Sequence, residues 1–182
     1  MSAKTQKIAI KQILVNIFPA YIIEKEKKFS WGNITSQTIF DPDFLAIYNA
    51  LHNSRGYTAE QFAKPRAINY DFVIDGKKLI IEYDEKQHFT NQRKISLDAY
   101  PQDVTLYFDK QRWINECIRI HAKDNYPAYR DEQRAFRDAI RDISAIRNGY
   151  TLIRIKDGDY DFTQENGEEI LRDIITRAGI II

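Results

Sequence analysis

The chain has 182 residues, of which 43% are hydrophobic and 29% are charged, and it contains only 7 Gly and 5 Pro. This length and composition predict a single globular domain and exclude a disordered, collagen-like or linker-rich chain. The formal net charge is +1, so any site for a polyanion such as nucleic acid has to be a local basic patch.

Cysteine use and apolar runs exclude further classes of protein. Cys117 is the single cysteine, which excludes an intramolecular disulfide framework and a cysteine-rich zinc site and is typical of a reducing compartment. No run approaches the roughly 20 apolar residues of a membrane span. We therefore expect a cytoplasmic protein without a membrane partner.

Apolar residues recur at helical spacing in five segments. Asp41-Pro42 supplies an N-cap followed by proline at the first helical position, and Asn148-Gly149 closes a later helix. Thr58 to Gln61 reads as a capping box. The predicted helices cover about 4–18, the segment that follows Pro42, about 109–123, about 130–147 and about 164–178.

Two β-rich runs, at about 67–74 and 77–84, flank Asp75-Gly76, a strong signal for a hairpin with a two-residue turn. A further strand is predicted at about 150–155. The order of these elements predicts a mixed α/β domain, in which the late strand lies beside the hairpin after a helical crossover and helices flank the central sheet.

A two-residue turn sets Ile74 opposite Lys77 and Asp71 opposite Ile80. Alternation then predicts two faces. On one face lie Asp71, Ile80, Glu82 and Asp84, and on the other Tyr70, Phe72, Leu79, Ile81 and Tyr83.

In this register Asp71 and Glu82 are diagonal neighbours, roughly 7 Å apart. Two carboxylates this close repel each other, and a hard cation such as Mg²⁺ removes that repulsion by taking both as ligands. The alternative is a solvated face on which acids are tolerated. The metal site is favoured because Asp is rare in the middle of a strand and few lysines face these acids.

Several short motifs follow each other in a recognisable order. The segments DFVIDGKKLIIEYDEKQHF, YRDEQRAFRDAI and GYTLIRI together resemble the very-short-patch-repair-like endonucleases of the PD-(D/E)XK superfamily. The match spans about residues 66–156 and is carried by Asp71, Glu82, Asp84, Gln87, His88, Asp131, Arg134, Gly149, Tyr150 and Arg154.

The resemblance implies a restriction-endonuclease-like core within one nuclease domain over 1–182. In this interpretation about 1–55 is an N-terminal helical extension and about 89–129 a helical insertion. Two departures from the family pattern stand out: Tyr70 replaces the proline before the first Asp, and Asp84 replaces the lysine two residues after Glu82. Reading Asp84-Glu85-Lys86 as the motif restores the lysine, but alternation places Lys86 beyond the strand, so we prefer Glu82-x-Asp84.

The function that the resemblance implies is metal-dependent hydrolysis of DNA phosphodiester bonds, of restriction or repair type, with double-stranded DNA as the expected partner. Asp71 and Glu82 would hold Mg²⁺ or Mn²⁺, with Asp84 as a further ligand or water-orienting acceptor. Lys86 or His88 would assist as acid or phosphate donor. A double-strand cut requires a homodimer or two successive nicks. The alternative is a non-catalytic nucleic-acid-binding module that retains the nuclease fold.

The helix at 130–147 carries an arginine stripe, with Arg130, Arg134, Arg137 and Arg141 within about 60° of one another. Such a stripe suits contact with backbone phosphates. Arg112 and Arg119 would extend it if the preceding helix packs alongside. The alternative is a solvent face on which the arginines pair with neighbouring acids, namely Asp131, Asp138 and Asp142.

Overall fold

A computed structural model of the chain describes residues 2–55, 62–124 and 126–182. Within these ranges the fold is mixed α/β, with six helices and one four-stranded sheet, and none of the helices is long and apolar enough to cross a bilayer. The helices are α1 Ala3–Ile17, α2 Pro42–Arg55, α3 Asn91–Asp98, α4 Lys110–Ile120, α5 Arg130–Arg147 and α6 Gly167–Arg177. The strands are β1 Glu24–Lys28, β2 Asn69–Ile74, β3 Leu79–Asp84 and β4 Thr151–Lys156.

The five helices expected from periodicity are confirmed, and so is the late strand. The predicted cap of α2 forms, because the Asp43 N–H donates to Asp41 Oδ1 at 2.9 Å. The capping box at Thr58 to Gln61 lies outside the described residues. Two elements were not predicted: β1, whose sequence EKEKK has no apolar alternation, and the short helix α3, whose N-cap is the side chain of Thr90.

The strand order is β1-β2-β3-β4, with β1–β2 and β2–β3 antiparallel and β3–β4 parallel. The late strand therefore lies beside the hairpin, as predicted. Helices α3, α4 and α5 make the crossover between the two parallel strands. One layer, α1 and α6, packs on the sheet face of Phe72 and Ile81. On the other face, Ala145 of α5 packs with Val73 and Ile80.

The predicted hairpin register is wrong by two residues. The structure sets Ile74 opposite Leu79 rather than Lys77, so four residues form the connection instead of two. The reason is that Asp75 begins a 3₁₀ turn that ends at Lys78, which adopts a left-handed conformation with φ of 49°. Continuing the register sets Asp71 opposite Glu82 and not opposite Ile80. A shift of two preserves the side-chain alternation and turns a diagonal pair of acids into a directly opposed one.

The alternation is interrupted at Asp71. Tyr70 was predicted to share a face with Phe72, but it packs with Val73 and Ile80 on the opposite side. Pairing of β2 with β1 also omits Asp71, where Glu26 across the ladder has a φ of 52°. The β1–β2 ladder is therefore interrupted at Asp71 and the β2–β3 ladder ends next to it, which leaves the Asp71 backbone and side chain available for other partners.

A buried charge network joins the sheet to the helices behind it. The Arg154 guanidinium on β4 donates to Asp84 Oδ1 at 2.5 Å and to Asp142 Oδ1 at 2.7 Å. Arg93 of α3 donates to the other oxygen of Asp142 at 2.8 Å, and the Trp113 indole donates to Asp84 at 2.9 Å. All five side chains are buried. Each ion in the network thus has partners, which is the condition for tolerating charge in a core.

We expect Arg154→Met to lower the free energy of unfolding by roughly 3–5 kcal/mol, because it leaves Asp84 and Asp142 as buried charges with fewer partners. Urea denaturation measures this loss. The matched control is Arg172→Met, which breaks a pair with Glu168 whose two side chains are 40% and 38% exposed, and should cost less than about 0.5 kcal/mol. Equal losses in the two variants would contradict the assigned role of Arg154.

Candidate active site

Asp71 and Glu82 each form a hydrogen bond from the side chain to the backbone of the neighbouring strand. Glu82 Oε1 accepts a hydrogen bond from the Asp71 N–H at 2.9 Å, and Asp71 Oδ2 accepts one from the Tyr83 N–H at 3.0 Å. The two carboxylates take the place of backbone partners where the ladder is interrupted. The strand pair therefore holds both acids in fixed positions without using all of their oxygen lone pairs.

Lys7 of α1 supplies a positive charge to this pair. Its ammonium lies 2.9 Å from Asp71 Oδ2, 3.1 Å from Asp71 Oδ1 and 3.7 Å from Glu85 Oε1. Burial opposes the charge on Lys7, but the attraction of Asp71 and Glu85 outweighs it, so the pKa of Lys7 is raised. Gln6 anchors this turn of the helix, with its amide bonded to the Asp161 side chain at 2.8 Å and the Phe162 N–H at 2.9 Å.

Sequence reasoning missed Lys7. It lies 64 positions before Asp71 and carries no motif of its own, so only the packing of α1 on the sheet brings the two together. The sequence contains only an indirect signal. The motif that holds Asp71 and Glu82 lacks the usual lysine, so a positively charged side chain has to come from another element.

Glu82 is the more buried of the two acids. Its side chain is 6% exposed, against 24% for Asp71, and Arg141 of α5 approaches its Oε2 at 3.4 Å. Burial raises the pKa of Glu82 to about 7, the neighbouring charge of Asp71 adds to the rise, and Arg141 and Arg154 oppose it. Glu82 therefore exchanges a proton near neutral pH, which makes a positive partner at this position favourable.

The structure does not bring Asp84 to this pair. Its carboxylate is buried and bonded to Arg154 and Trp113, and its nearest charged neighbour besides Arg154 is His88, at 3.8 Å. Because both oxygens already have donors, Asp84 is placed to hold β4 and α4 against β3 and not to bind a cation beside Asp71. The metal ligation expected of Asp84 is thus replaced by a structural contact.

His88 lies in a 3₁₀ turn just after β3, half-buried, with Nδ1 2.8 Å from Asp138 Oδ2. Burial disfavours the charged ring, but the charge of Asp138 and the hydrogen bond to it outweigh burial, so the pKa of His88 is raised. Arg134 fixes the same turn by donating to the Gln87 carbonyl at 3.0 Å. Lys86, by contrast, is exposed and lines a different cavity together with His121.

Four arginines of α5 come together with His88 around one cavity of about 410 Å³, which we call the arginine cleft. Arg112 and Arg119 are not part of it. Arg112 pairs with Asp159 beside another groove, and Arg119 pairs with Glu116 of its own helix. The arginine cleft is lined by His88, Pro127, Arg130, Gln133, Arg134, Arg137 and Arg141.

The acids beside the stripe are not a solvent face. Asp131, Asp138 and Asp142 are buried, with 1%, 0% and 0% exposure. Arg141 bridges the cleft to the carboxylate pair, since it contacts Asp138 at 2.9 Å and Glu82 at 3.4 Å. Arg141 therefore belongs to the arginine cleft and also contacts the carboxylate pair through Glu82.

The donor set of the pair suits a hard cation. Carboxylate oxygens are the ligands that Mg²⁺ prefers, and Mg²⁺ is commonly held by one or two carboxylates with water and substrate phosphate completing its shell. Among residues 2–55, 62–124 and 126–182, no group of three or more His, Cys, Asp or Glu side chains is arranged to hold a metal ion. Asp71 and Glu82 would be the protein ligands, and a bound cation would replace Lys7 and Arg141 as their positive partners.

Comparison of the chain with protein-family models, with curated proteins and with solved structures finds no match. The likeness of the motifs to a nuclease family therefore remains an expectation, and the function has to be argued from the site itself.

The raised pKa of Glu82 predicts a pH-dependent contribution to stability. Because the folded protein holds this proton more tightly than the unfolded chain, the stability that it contributes is greatest below pH 4.5. It is lost as the pH rises towards about 7, at no more than about 1.4 kcal/mol per pH unit. We compare the free energy of unfolding of the wild type with that of Glu82→Gln, both in the presence of a chelator. The value for the wild type minus the value for the variant should fall over this pH range and then become constant. Urea denaturation at several pH values measures it, and a difference that does not change with pH would contradict the assignment.

Proposed function

We propose that this protein is a Mg²⁺-dependent phosphodiesterase that cuts DNA, built on a restriction-endonuclease-like core. The observation that carries the proposal is the directly opposed pair Asp71 and Glu82, in which Glu82 accepts from the Asp71 N–H at 2.9 Å and Asp71 accepts from the Tyr83 N–H at 3.0 Å. Two fixed carboxylates beside a cleft lined by arginines are the combination that a phosphodiester substrate requires. The motif resemblance supports the same chemistry.

Asp71 and Glu82 would hold the cation between them. Mg²⁺, when bound, acidifies a water molecule and offsets negative charge on the phosphate. Because the pKa of Glu82 is about 7, this residue gives up its proton when a cation binds near neutral pH. The backbone N–H groups of Asp71 and Tyr83 keep one oxygen of each carboxylate fixed. The remaining oxygens, which lie against Lys7 and Arg141, would be the ones to hold the cation.

Lys7 would take the role that Asp84 cannot perform. An ammonium about 3 Å from Asp71 and close to both acids lies where the scissile phosphate would approach, and there it can stabilise charge on the phosphate oxygens. The Gln6 anchor keeps it in place. Lys86 lies in a different cavity.

His88 and the arginine cleft would act on the rest of the substrate. Asp138 orients the His88 ring through Nδ1, which leaves Nε2 to donate a proton or a hydrogen bond to a phosphate oxygen. Arg130 and Arg134, which line the cleft, would contact DNA phosphates. Double-stranded DNA is the proposed partner, cut by successive nicks or by a homodimer.

A second candidate function is a nucleic-acid-binding module without catalysis. It is favoured by the charge balance of the pair: Lys7 already pairs with Asp71 and Arg141 already approaches Glu82, so each acid has a positive partner within the protein itself. Calorimetric titration with Mn²⁺ separates the two functions. Saturable binding that Asp71→Asn weakens supports the enzyme, and its absence supports the module.

Purified protein should nick or cut supercoiled plasmid DNA with Mg²⁺ or Mn²⁺ and stop in chelator. Asp71→Asn and Glu82→Ala should each lower the rate by at least about a hundredfold, since each removes a group that stabilises the transition state. The matched control Asp173→Asn changes an acid of α6 that is 51% exposed and should keep full activity. Glu82→Ala with wild-type activity would refute the proposal. Agarose gels that resolve nicked from linear product measure both the rate and the type of cut.

Lys7→Ala should lower the cleavage rate by about ten- to a hundredfold while Mn²⁺ binding remains equal or becomes tighter, because the ammonium competes with the metal but assists the substrate. Lys7→Arg should recover part of the rate. Lys11→Ala is the control, since Lys11 is an exposed lysine of the same helix. Unchanged cleavage in Lys7→Ala would show that Lys7 only balances the charge of Asp71.

A further inference from the structure

Most cations of the arginine cleft are already paired with acids. Arg130 and Arg134 share Asp124, at 2.8 and 2.9 Å. His88 Nδ1 donates to Asp138 Oδ2 at 2.8 Å. Arg141 is held by Glu82 and Asp138. Arg134 also contacts Asp131 Oδ1 at 3.4 Å. These pairs fix the walls of the cleft.

Arg137 is different. Its guanidinium donates to Gln133 Oε1 at 2.7 Å, and within the part of the chain that the structure describes it forms no ion pair with a carboxylate. Burial first, and then the nearby charges of Arg66, Arg141 and Arg134, lower the pKa of Arg137 to about 10, although the charge of Asp138 opposes the shift. A half-buried arginine among like charges is costly unless an anion joins it. The cleft therefore has an unmet requirement for negative charge at Arg137.

The shape of the cleft restricts which anion fits. A volume of about 410 Å³ is within the usual range for small-ligand clefts and holds a phosphate with its attached sugar. The backbone of an intact duplex is a convex surface and brings one negative charge per phosphate, whereas a phosphomonoester carries close to two and presents three free oxygens. Planar arginine donors match those oxygens in pairs.

We propose that the arginine cleft binds a phosphomonoester, the phosphate at the end of a nucleic-acid strand, with Arg137 as its principal donor and Arg130, Arg134 and His88 around it. The site adjoins the carboxylate pair through Arg141, which touches Glu82 at 3.4 Å. A strand end held there lies next to the bond to be cut. This step, though not the phosphate binding itself, rests on the proposed function: the enzyme would prefer DNA that already carries a phosphorylated end.

Fluorescence anisotropy in chelator tests the site without catalysis. Labelled single-stranded oligonucleotides of one sequence would carry a 5′-phosphate, a 3′-phosphate or only hydroxyl ends. We expect one phosphorylated strand to bind about tenfold or more tightly than the hydroxyl strand, as for a charge-assisted contact, and inorganic phosphate to compete with it. Arg137→Gln should abolish the preference and Arg137→Lys should retain part of it. Arg112→Gln, which changes an arginine outside the cleft, should keep it in full.

Arg137→Gln removes no ion pair, so its fold should persist, and circular dichroism verifies this. Equal binding of phosphorylated and hydroxyl strands, or a preference that survives in Arg137→Gln, would overturn the proposal. If a 5′-mononucleotide binds as tightly as the phosphorylated strand, the site binds a phosphomonoester, but the proposal that this ligand is the end of a strand is overturned. Plasmid cleavage is a separate readout. A preference for phosphorylated strands without cleavage would support the phosphate site and contradict the proposed nuclease activity. Cleavage without that preference would support the nuclease activity and contradict the phosphate site.

Discussion

The buried ion pairs of Arg154 are the interaction on which the arrangement of the sheet and α5 depends. Its guanidinium joins β4 to Asp84 on β3 and to Asp142 on α5, all away from solvent. This contact fixes the distance between the sheet, which carries the carboxylate pair, and the helix, which carries the arginine cleft. Arg141 adds a second polar contact between the two, because it donates to the Asn69 carbonyl at 2.8 Å and lies 3.4 Å from Glu82.

The site itself is a balance of opposite charges taken from separate layers. Lys7 approaches Asp71 from α1, on one side of the sheet, and Arg141 approaches Glu82 from α5, on the other. Each acid thereby has a positive partner, which explains how acids so close together are tolerated. A cation or a phosphate that bound there, as proposed, would replace these side chains as the partner of the opposite charge. Arg137 is the exception, and it is where an anion gains most.

The sequence predicted local structure better than relations between elements. The ends of α5 are as expected, because an amphipathic pattern and Asn148-Gly149 are local signals. The hairpin was predicted from Asp75-Gly76, but its register depended on the left-handed Lys78, whose carbonyl accepts from the Thr151 N–H at 2.8 Å, a contact made by a distant strand. Lys7 beside Asp71 and the burial of Asp84 likewise follow from the packing of separate elements, which no spacing along the chain encodes.

The outer strand β1 has a consequence for how copies of the chain can associate. Its sequence, EKEKK, contains three lysines and two glutamates in five residues, and it forms one of the two edges of the sheet. Charged edge strands discourage a second sheet from adding its own strand, because two such edges would bring like charges into register. At this edge the sheet is thus protected from pairing with a strand of a neighbouring molecule. A symmetric dimer would have to form through another surface.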